Sequence, residues 1–533
     1  MGEIKLLDCT LRDGGYINDW EFGHDNIVTI YERLIGAEID IVEIGFLDER
    51  RIYDFNRSIL PDTASVKRTY GDLKRGRSMI VGMIDFGTCG IEHIQLCEES
   101  YLDGIRVIFK KERMHEAVAF CAKVKEKGYC VFAQAVSITS YSDEEFAELT
   151  GLVNSLEPYA FSLVDTYGLL HKQQLEHYFT MADRQLKINI GLGYHAHNNF
   201  QLAYANCIEV LEKKMDRMLI IDGTLYGMGK SAGNAPTELL SMYMNDHNGK
   251  SYRTHQLLEA IDVTMLDIYH KTPWGYHFKF FLSASNDCHP NYVAYLQDKQ
   301  KLSVKSINDI LSRIAPSKKL LYDEKHIENL YLNYQNKECN DTEDYSELVK
   351  VLSGKNILLL ASGNNIYEQR EKVNKYIEEK KPVIISVNFL PEIYNMDYLF
   401  LSNAKRYVQM ATVLCKRRED LKTIATSNVT STTDSFEYML NYGKFLDEDA
   451  EIRDNPLFML LKLFKDCEAA SIGLAGFDGY NMAKTTNYIN ANMEYTFTKE
   501  RAEQINEDVR NGIKRSGLSD KIYFITSSCY ARN

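Results

Sequence analysis

The stretch IKLLDCTLRDGGY, Ile4–Tyr16, decides the fold class. Its first five residues, IKLLD, form a short, largely apolar run ending in a carboxylate, the pattern of a strand that opens a βα unit of a parallel sheet. A doubly wound open sheet would follow such a strand with a glycine-rich phosphate loop, and Asp8–Tyr16 reads DCTLRDGGY instead. Working outward, seven more short apolar runs lie at Ile41–Gly45, Met79–Ile84, Gly104–Phe109, Cys130–Ser137, Ala160–Asp165, Ile188–His195 and Met218–Asp222. Successive starts are about 25 to 38 residues apart, room for one strand and one crossover helix. Eight such units predict an α/β fold, a (β/α)8 TIM barrel over residues 1–240.

Beyond the barrel the period changes. Residues 241–340 carry helical spacing, as in HQLLEAIDVTMLDIY at His255–Tyr269 and again at Ser306–Ile314, and predict a helical extension without strands. Past the polar stretch Asn333–Ser346, β-type runs at Asn356–Ala361 and Val383–Val387 flank a helical Ile366–Glu379, so residues 350–533 read as a C-terminal α/β domain. A chain of 533 residues, 45% apolar and 26% charged, is neither disordered, collagenous nor a coiled coil. A net charge of -13 speaks against nucleic acid and anionic membrane as partners and for small molecules. No apolar run approaches the ~18 to 20 residues that span a bilayer, and Met1–Leu11 lacks the layout of a secretory signal, so a cytoplasmic location is expected. The eleven cysteines form no CxxC pair, which removes zinc-ribbon and disulfide-framework readings.

In a barrel of this kind functional groups gather at the C-terminal strand ends. Those ends carry Asp8–Gly14, Glu43, Asp165-Thr166 and His195-Ala196-His197-Asn198-Asn199. His195 and His197, two apart on an extended segment, point the same way and offer two imidazoles to one ion. A third ligand must reach across the mouth, and Asp8 and Asp13 are both placed to do so. After the eighth strand, GTLYGMGKSAGNAPTE at Gly223–Glu238 is a glycine-dense loop entering a helix. Glycines such as Gly229 let backbone N–H groups approach a carboxylate or phosphate there.

Five ordered motifs, TLRDGG (Thr10–Gly15), VEIGF (Val42–Phe46), VDTYG (Val164–Gly168), GYHAHNN (Gly193–Asn199) and GMGKSAGNAPTE (Gly227–Glu238), resemble a family of metal-dependent aldolases and lyases. That family groups 4-hydroxy-2-oxovalerate aldolase, hydroxymethylglutaryl-CoA lyase and isopropylmalate synthase, and the hydroxy-oxovalerate branch is the most similar. The resemblance implies Asp13, rather than Asp8, as the carboxylate ligand beside His195 and His197, with Asn234 near the ion. A mixed nitrogen and oxygen set with open positions suits Mn²⁺, Mg²⁺ or Co²⁺. It further implies a 2-oxo acid substrate with an aldehyde partner, Arg12 neutralising the enolate as a C–C bond breaks or forms, and Glu43, Asp165, Thr166, Gly229 and Asn234 around the substrate. A homo-oligomer is compatible with it.

One departure concerns proton transfer. Where the hydroxy-oxovalerate branch has a His three residues after the metal Asp, this chain has Tyr16. A phenol of pKa about 10 is a poor base at neutral pH. His289 therefore joins Tyr16 as a candidate, with His24 and His277 behind it and Tyr292 as a candidate proton shuttle. The glycine loop also holds Lys230 and lacks the cysteine of the CoA lyases. Two rival readings stand on the same scaffold: an acyl-CoA Claisen-type condensing enzyme and a non-catalytic metal-binding scaffold. In the C-terminal domain, SGNN (Ser362–Asn365), Val383–Asn388, DYLFLSNAKRY (Asp397–Tyr407) and GFDGYN (Gly476–Asn481) resemble nucleotide-sugar-using, transferase-like domains of surface-polysaccharide pathways. The plainer alternative there is a docking or oligomerisation module.

Overall fold

Residues 2–319, 322–416, 421–429, 436–480 and 499–531 are described by a computed structural model, so Asn481 of the GFDGYN string lies outside the described residues. The chain divides into two units, Met1–Pro290 and Asn291–Asn533, a division that falls inside the stretch read as one helical extension. The extension is helical on both sides of it, from Thr254–Ala260 and Leu266–Lys271 in the first unit to Val304–Leu311 and Glu324–Gln335 in the second. No helix of the described residues is long and apolar enough to cross a membrane.

In the first unit eight parallel strands close on themselves: β1 (Ile4–Asp8), β2 (Ile41–Leu47), β3 (Met79–Asp85), β4 (Gly104–Phe109), β5 (Cys130–Ala135), β6 (Ala160–Asp165), β7 (Gly191–Ala196) and β8 (Leu219–Gly223). Closure comes from β1, which pairs Leu7 with Ile41 of β2 and Ile4 with Leu219 of β8. Five of the eight strands differ from the expected bounds by one to three residues, β2, β3 and β8 by only one or two at their ends. β5 stops at Ala135 because Ser137 adopts a left-handed backbone (φ 52°). β7 starts three residues late, because Ile188 lies in a turn pinned by the Arg217 guanidinium, which donates to the carbonyls of Lys187 and Ile190 at 3.0 Å.

Strand side chains alternate, so inward positions recur every second residue. Toward the strand starts they are apolar: Leu7, Ile41, Val81, Phe132, Ala160 and Ile220 form one buried cluster. Cys9 still belongs to that cluster, and Met83 to a second apolar one, but further along the other strands the inward positions become Glu43, Arg106, Gln134, Ser162 and Asp222, and His195 continues the parity of Gly193. The barrel interior is thus an apolar plug below and a buried polar layer above. The apolar outer faces of the strands pack against amphipathic helices such as Asp143–Leu156, whose N-terminus is closed by a capping box between Ser142 and Glu145.

The second unit is a seven-stranded parallel sheet with helices: β9 (Asn356–Leu360), β10 (Val383–Val387), β11 (Tyr398–Leu401), β12 (Lys422–Thr426), β13 (Tyr438–Leu440), β14 (Ser471–Ala475) and β15 (Ile522–Phe524). Its spatial order is β13-β12-β11-β10-β9-β14-β15. The chain starts at β9, steps outward to β13 and returns on the other side of β9, which puts a topological switch point between β9 and β14.

The VEIGF motif owes its glycine to geometry. Gly45 sits at φ 142° where the β2 register shifts between Glu43 and Phe46, and a Cβ there would overlap the Ser58 carbonyl. Gly45→Ala should therefore lower the melting temperature of the first unit by several degrees. Gly151→Ala, on a helix with open space around it, should leave the temperature unchanged or raise it slightly. Thermal scans of the two variants check this.

Candidate metal centre in the barrel mouth

Past β1 the chain makes one helical turn, Thr10–Asp13, and this turn separates the two carboxylates of the segment. Asp8 faces away from the barrel interior, accepting from the Thr10 N–H at 2.9 Å and from the Thr237 hydroxyl at 2.6 Å, and burial pushes it up to about 6. Asp13 turns into the mouth. Its Oδ1 accepts from Arg12 Nη1 at 2.6 Å and its Oδ2 from Asn234 Nδ2 at 2.5 Å. Burial alone would raise Asp13, but Arg12 and the two histidines outweigh it and hold the carboxyl well below its usual range.

From β7, His195 Nδ1 lies 3.0 Å from Asp222 Oδ2, and His197 Nδ1 lies 3.2 Å from the Lys230 carbonyl. A carboxylate and a carbonyl only accept, so both Nδ1 atoms carry the proton and both Nε2 lone pairs remain for a ligand. Burial lowers His197 to about 3, which keeps it neutral as a metal ligand must be. One ligand atom from each of Asp13, His195 and His197 lies within 4.8 Å of the others. His195 Nε2 and Asn234 Oδ1 are buried without a hydrogen-bond partner, an expensive state for two lone pairs unless a cation takes them. Gly229 completes the cradle, since a Cβ there would meet the Asn234 amide and the Asp13 carboxylate. The donor set and its orphaned lone pairs fit a divalent ion.

Asp13 and His195 are joined through the barrel by a chain of buried charges. Arg12 Nε donates to Glu43 Oε2 at 2.8 Å, and Arg106 Nη1 lies 3.0 Å from the same oxygen. Arg106 then pairs with Asp222, which orients His195. Burial opposes the charge of Arg12, yet Glu43 and Asp13 raise its pKa well above the ordinary value. The Arg12 carbonyl accepts from Trp20 Nε1 at 2.8 Å, and a Cβ on Gly15 would collide with that indole, which accounts for the second glycine of TLRDGG.

The structure brings Arg12, Asp13, Glu43, His195, His197, Gly229 and Asn234 together. Asp165 and Thr166 stand elsewhere on the rim: both Asp165 oxygens accept from the N–H groups of Leu169 and Leu170, and Thr166 Oγ1 accepts from the Ser137 N–H. Tyr16 lies at the mouth, its ring 4.9 Å from Trp20, with Lys230 Nζ 5.3 Å from the ring centroid. Burial and the Asp13 charge push its phenol pKa upward. His289 is half-buried and lowered to about 4 by burial and by Lys230, Lys279 and Lys110. His24 lies beside Phe55, and His277 caps the helix Phe278–Ser285 through the Lys279 N–H. Tyr292 belongs to the second unit, where its hydroxyl donates to the Lys318 carbonyl and accepts from the Asp323 N–H. Sequence reasoning missed Arg106 and Asp222. Their signal was a charge in each apolar strand, at the parity of inward neighbours.

In the second unit, the strings at Ser362–Asn365, Val383–Asn388, Asp397–Tyr407 and Gly476–Tyr480 end around one cavity of about 370 Å³. It lies at the switch point and is lined by Ser362, Asn388, Asn403, Arg406 and Asp478 among others. Its charges are balanced by pairs such as Lys301 with Asp454 and Lys299 with Glu328.

Residues 101–264 match the HMGL-like family model. The chain is 27% identical over 250 residues to a 4-hydroxy-2-oxovalerate aldolase of Chloroflexus aggregans, covering 45% of this chain and 69% of that one. It is 25% identical over 244 residues to an oxaloacetate decarboxylase of Mycobacterium tuberculosis, with the same coverage of 45% and 69%. Among solved structures, an HMG-CoA lyase of Bacillus subtilis superposes with a TM-score of 0.41 at 17% identity, covering 51% of this chain and 94% of that one.

Three expectations follow. Asp13→Asn or His195→Ala should cut Mn²⁺ affinity by orders of magnitude, whereas Asp8→Asn should leave it intact, as read by equilibrium dialysis. Asp8 has a folded pKa above its unfolded one, so its contribution to stability is present at acid pH and lost as pH rises through about 6. Asp8→Asn should flatten that part of the melting-temperature profile. Arg106→Met strands Glu43 and Asp222 in the interior and should cost about 3 to 5 kcal/mol, measured by chemical denaturation.

Proposed function

We propose, from the premise that the barrel carries an HMGL-like domain, that this protein is a divalent-metal-dependent carbon–carbon lyase of the aldolase type, acting on a 2-oxo acid through a pyruvate-type enolate. The observation that carries the reading is Arg12 locked beside the Asp13, His195 and His197 triad. In the cleavage direction the C3–C4 bond of a 4-hydroxy-2-oxo acid breaks and its electron pair passes onto C3 and the 2-oxo oxygen. The 4-hydroxyl gives up its proton as the aldehyde forms, and a proton returned to C3 yields pyruvate.

A bound Mn²⁺, Mg²⁺ or Co²⁺ ion supplies Lewis-acid polarisation of the 2-oxo group. Arg12 is held by Glu43 through Nε and by Asp13 through Nη1, which leaves Nη2 as the donor for oxygen charge developing on the substrate. Its position is preorganised, so little reorganisation accompanies the charge movement. Tyr16 keeps its proton and serves as a donor at the mouth, while His289, neutral at physiological pH, is the candidate acceptor for the hydroxyl proton. The switch-point cavity favours a ligand-binding task for the second unit over docking alone.

The test is deuterium exchange at the pyruvate methyl group, followed by proton NMR with and without added Mn²⁺. Metal-dependent exchange is expected, and Arg12→Lys should slow it at least about 100-fold with a melting temperature within a few degrees of wild type. Absence of exchange together with thiol release from acetyl-CoA would replace this reading with Claisen-type condensation. His289→Gln should slow exchange or aldol turnover without changing metal content.

A further inference from the structure

Resting on the 2-oxo acid reading above, the charges of the mouth bear on what else the substrate carries. The buried floor holds two cations, Arg12 and Arg106, against three linked carboxylates, Asp13, Glu43 and Asp222. A divalent ion turns that single negative excess into a single positive one, which the carboxylate of a 2-oxo acid cancels. The floor is then neutral, and any further charge on the substrate must be met by the rim.

That rim is cationic. Lys230 Nζ stands 5.3 Å from the Tyr16 ring centroid, on the same loop that places Gly229 and Asn234. Lys110 directly follows the end of β4. Lys279 lies on the helix Phe278–Ser285, whose Phe281 ring is 6.2 Å from Phe200 in the loop after β7. All three ammonium groups act on His289. None has an ion-pair partner among the described residues. The carboxylates on this side are Asp13, already closed on Arg12 and Asn234, Asp85, which feels Lys110, Arg50 and Lys230, and Asp48, which is closed on Arg50 by contacts of 2.7 and 2.6 Å, with Asp287 near Tyr167; of these Asp13 and Asp85 act on Lys230.

An ammonium group half-removed from water and unpaired is stabilised by an anion and gains nothing from an apolar product. We propose that the leaving aldehyde of this enzyme bears a second anionic group, a carboxylate or a phosphate, bound by Lys230 with support from Lys110 and Lys279. The substrate class is then a 4-hydroxy-2-oxo acid with an anionic tail, and small apolar aldehydes are poor partners because they leave the lysines uncompensated.

The experiment is aldol addition of pyruvate by the full-length, Mn²⁺-loaded enzyme to succinic semialdehyde, glyceraldehyde 3-phosphate and butyraldehyde. At least one anionic aldehyde should exceed butyraldehyde about tenfold or more in kcat/KM, and the better of the two tells carboxylate from phosphate. The preference should shrink on raising salt from 0.05 to 0.5 M. Lys230→Met should bring the ratio near one while Lys230→Arg retains most of it. Should Lys230→Met fail to fold, the Lys110→Met/Lys279→Met double variant reads the same ratio. Calorimetry supplies an arm that needs no turnover: wild type should bind 2-oxoglutarate about tenfold tighter than 2-oxobutyrate, and Lys230→Met should not. Equal use of butyraldehyde by an enzyme that exchanges pyruvate protons, or a preference untouched by Lys230→Met, overturns the inference. Failure of pyruvate exchange itself sinks the aldolase reading instead, and the calorimetric ratio still decides the anionic tail.

Discussion

A chain of alternating buried charges runs across the barrel from Asp13 through Arg12, Glu43, Arg106 and Asp222 to His195. Each member is nearly or fully withdrawn from water, so none can be charged alone without a large desolvation cost. Together they are satisfiable, because every cation meets a carboxylate on each side. Both ends of the chain are groups of the candidate metal centre. The same interaction that makes the polar interior tolerable also fixes the orientation of the Asp13 carboxylate and the tautomer of the His195 imidazole.

The loops at the mouth are shaped by what this chain requires. The turn Thr10–Asp13 rotates two consecutive side chains so that Arg12 spans Glu43 and Asp13, and Asp8 anchors that turn from outside. The loop after β8 must pass close to the Asp13 carboxylate, which a side chain at Gly229 would prevent. It also returns an amide from Asn234 and a carbonyl from Lys230 to the two sides of the triad. The bulge at Gly45 sits two residues past Glu43, letting β2 bend against Ser58, whose hydroxyl in turn holds the Leu11 carbonyl at 2.6 Å.

One topological rule, applied to two sheets, places the candidate metal centre in the first unit and the cavity in the second. In the closed sheet the C-terminal strand ends converge on a single mouth. In the open sheet they diverge, except where the strand order reverses, and the cavity of the second unit lies at that reversal between β9 and β14.

The closed parallel barrel was legible in eight apolar runs at crossover spacing, and the shared direction of His195 and His197 in their separation by two on a strand. Those are local facts, carried by period and by chemistry within a few residues. Tertiary structure decided the rest. Asp8 and Asp13 were equivalent by spacing, and only the turn at Thr10 and the hydroxyl of Thr237, 229 positions away, turned one outward and the other inward. Arg106 and Asp222 were legible as charges in strands but not as partners, because their meeting depends on barrel closure across 116 residues. Asp165 has the residue type and strand-end position of a substrate contact, and its oxygens are engaged by the next turn of its own loop. The underlying reason is that periodicity reports which face a side chain takes, whereas its partner is set by long-range closure of the chain.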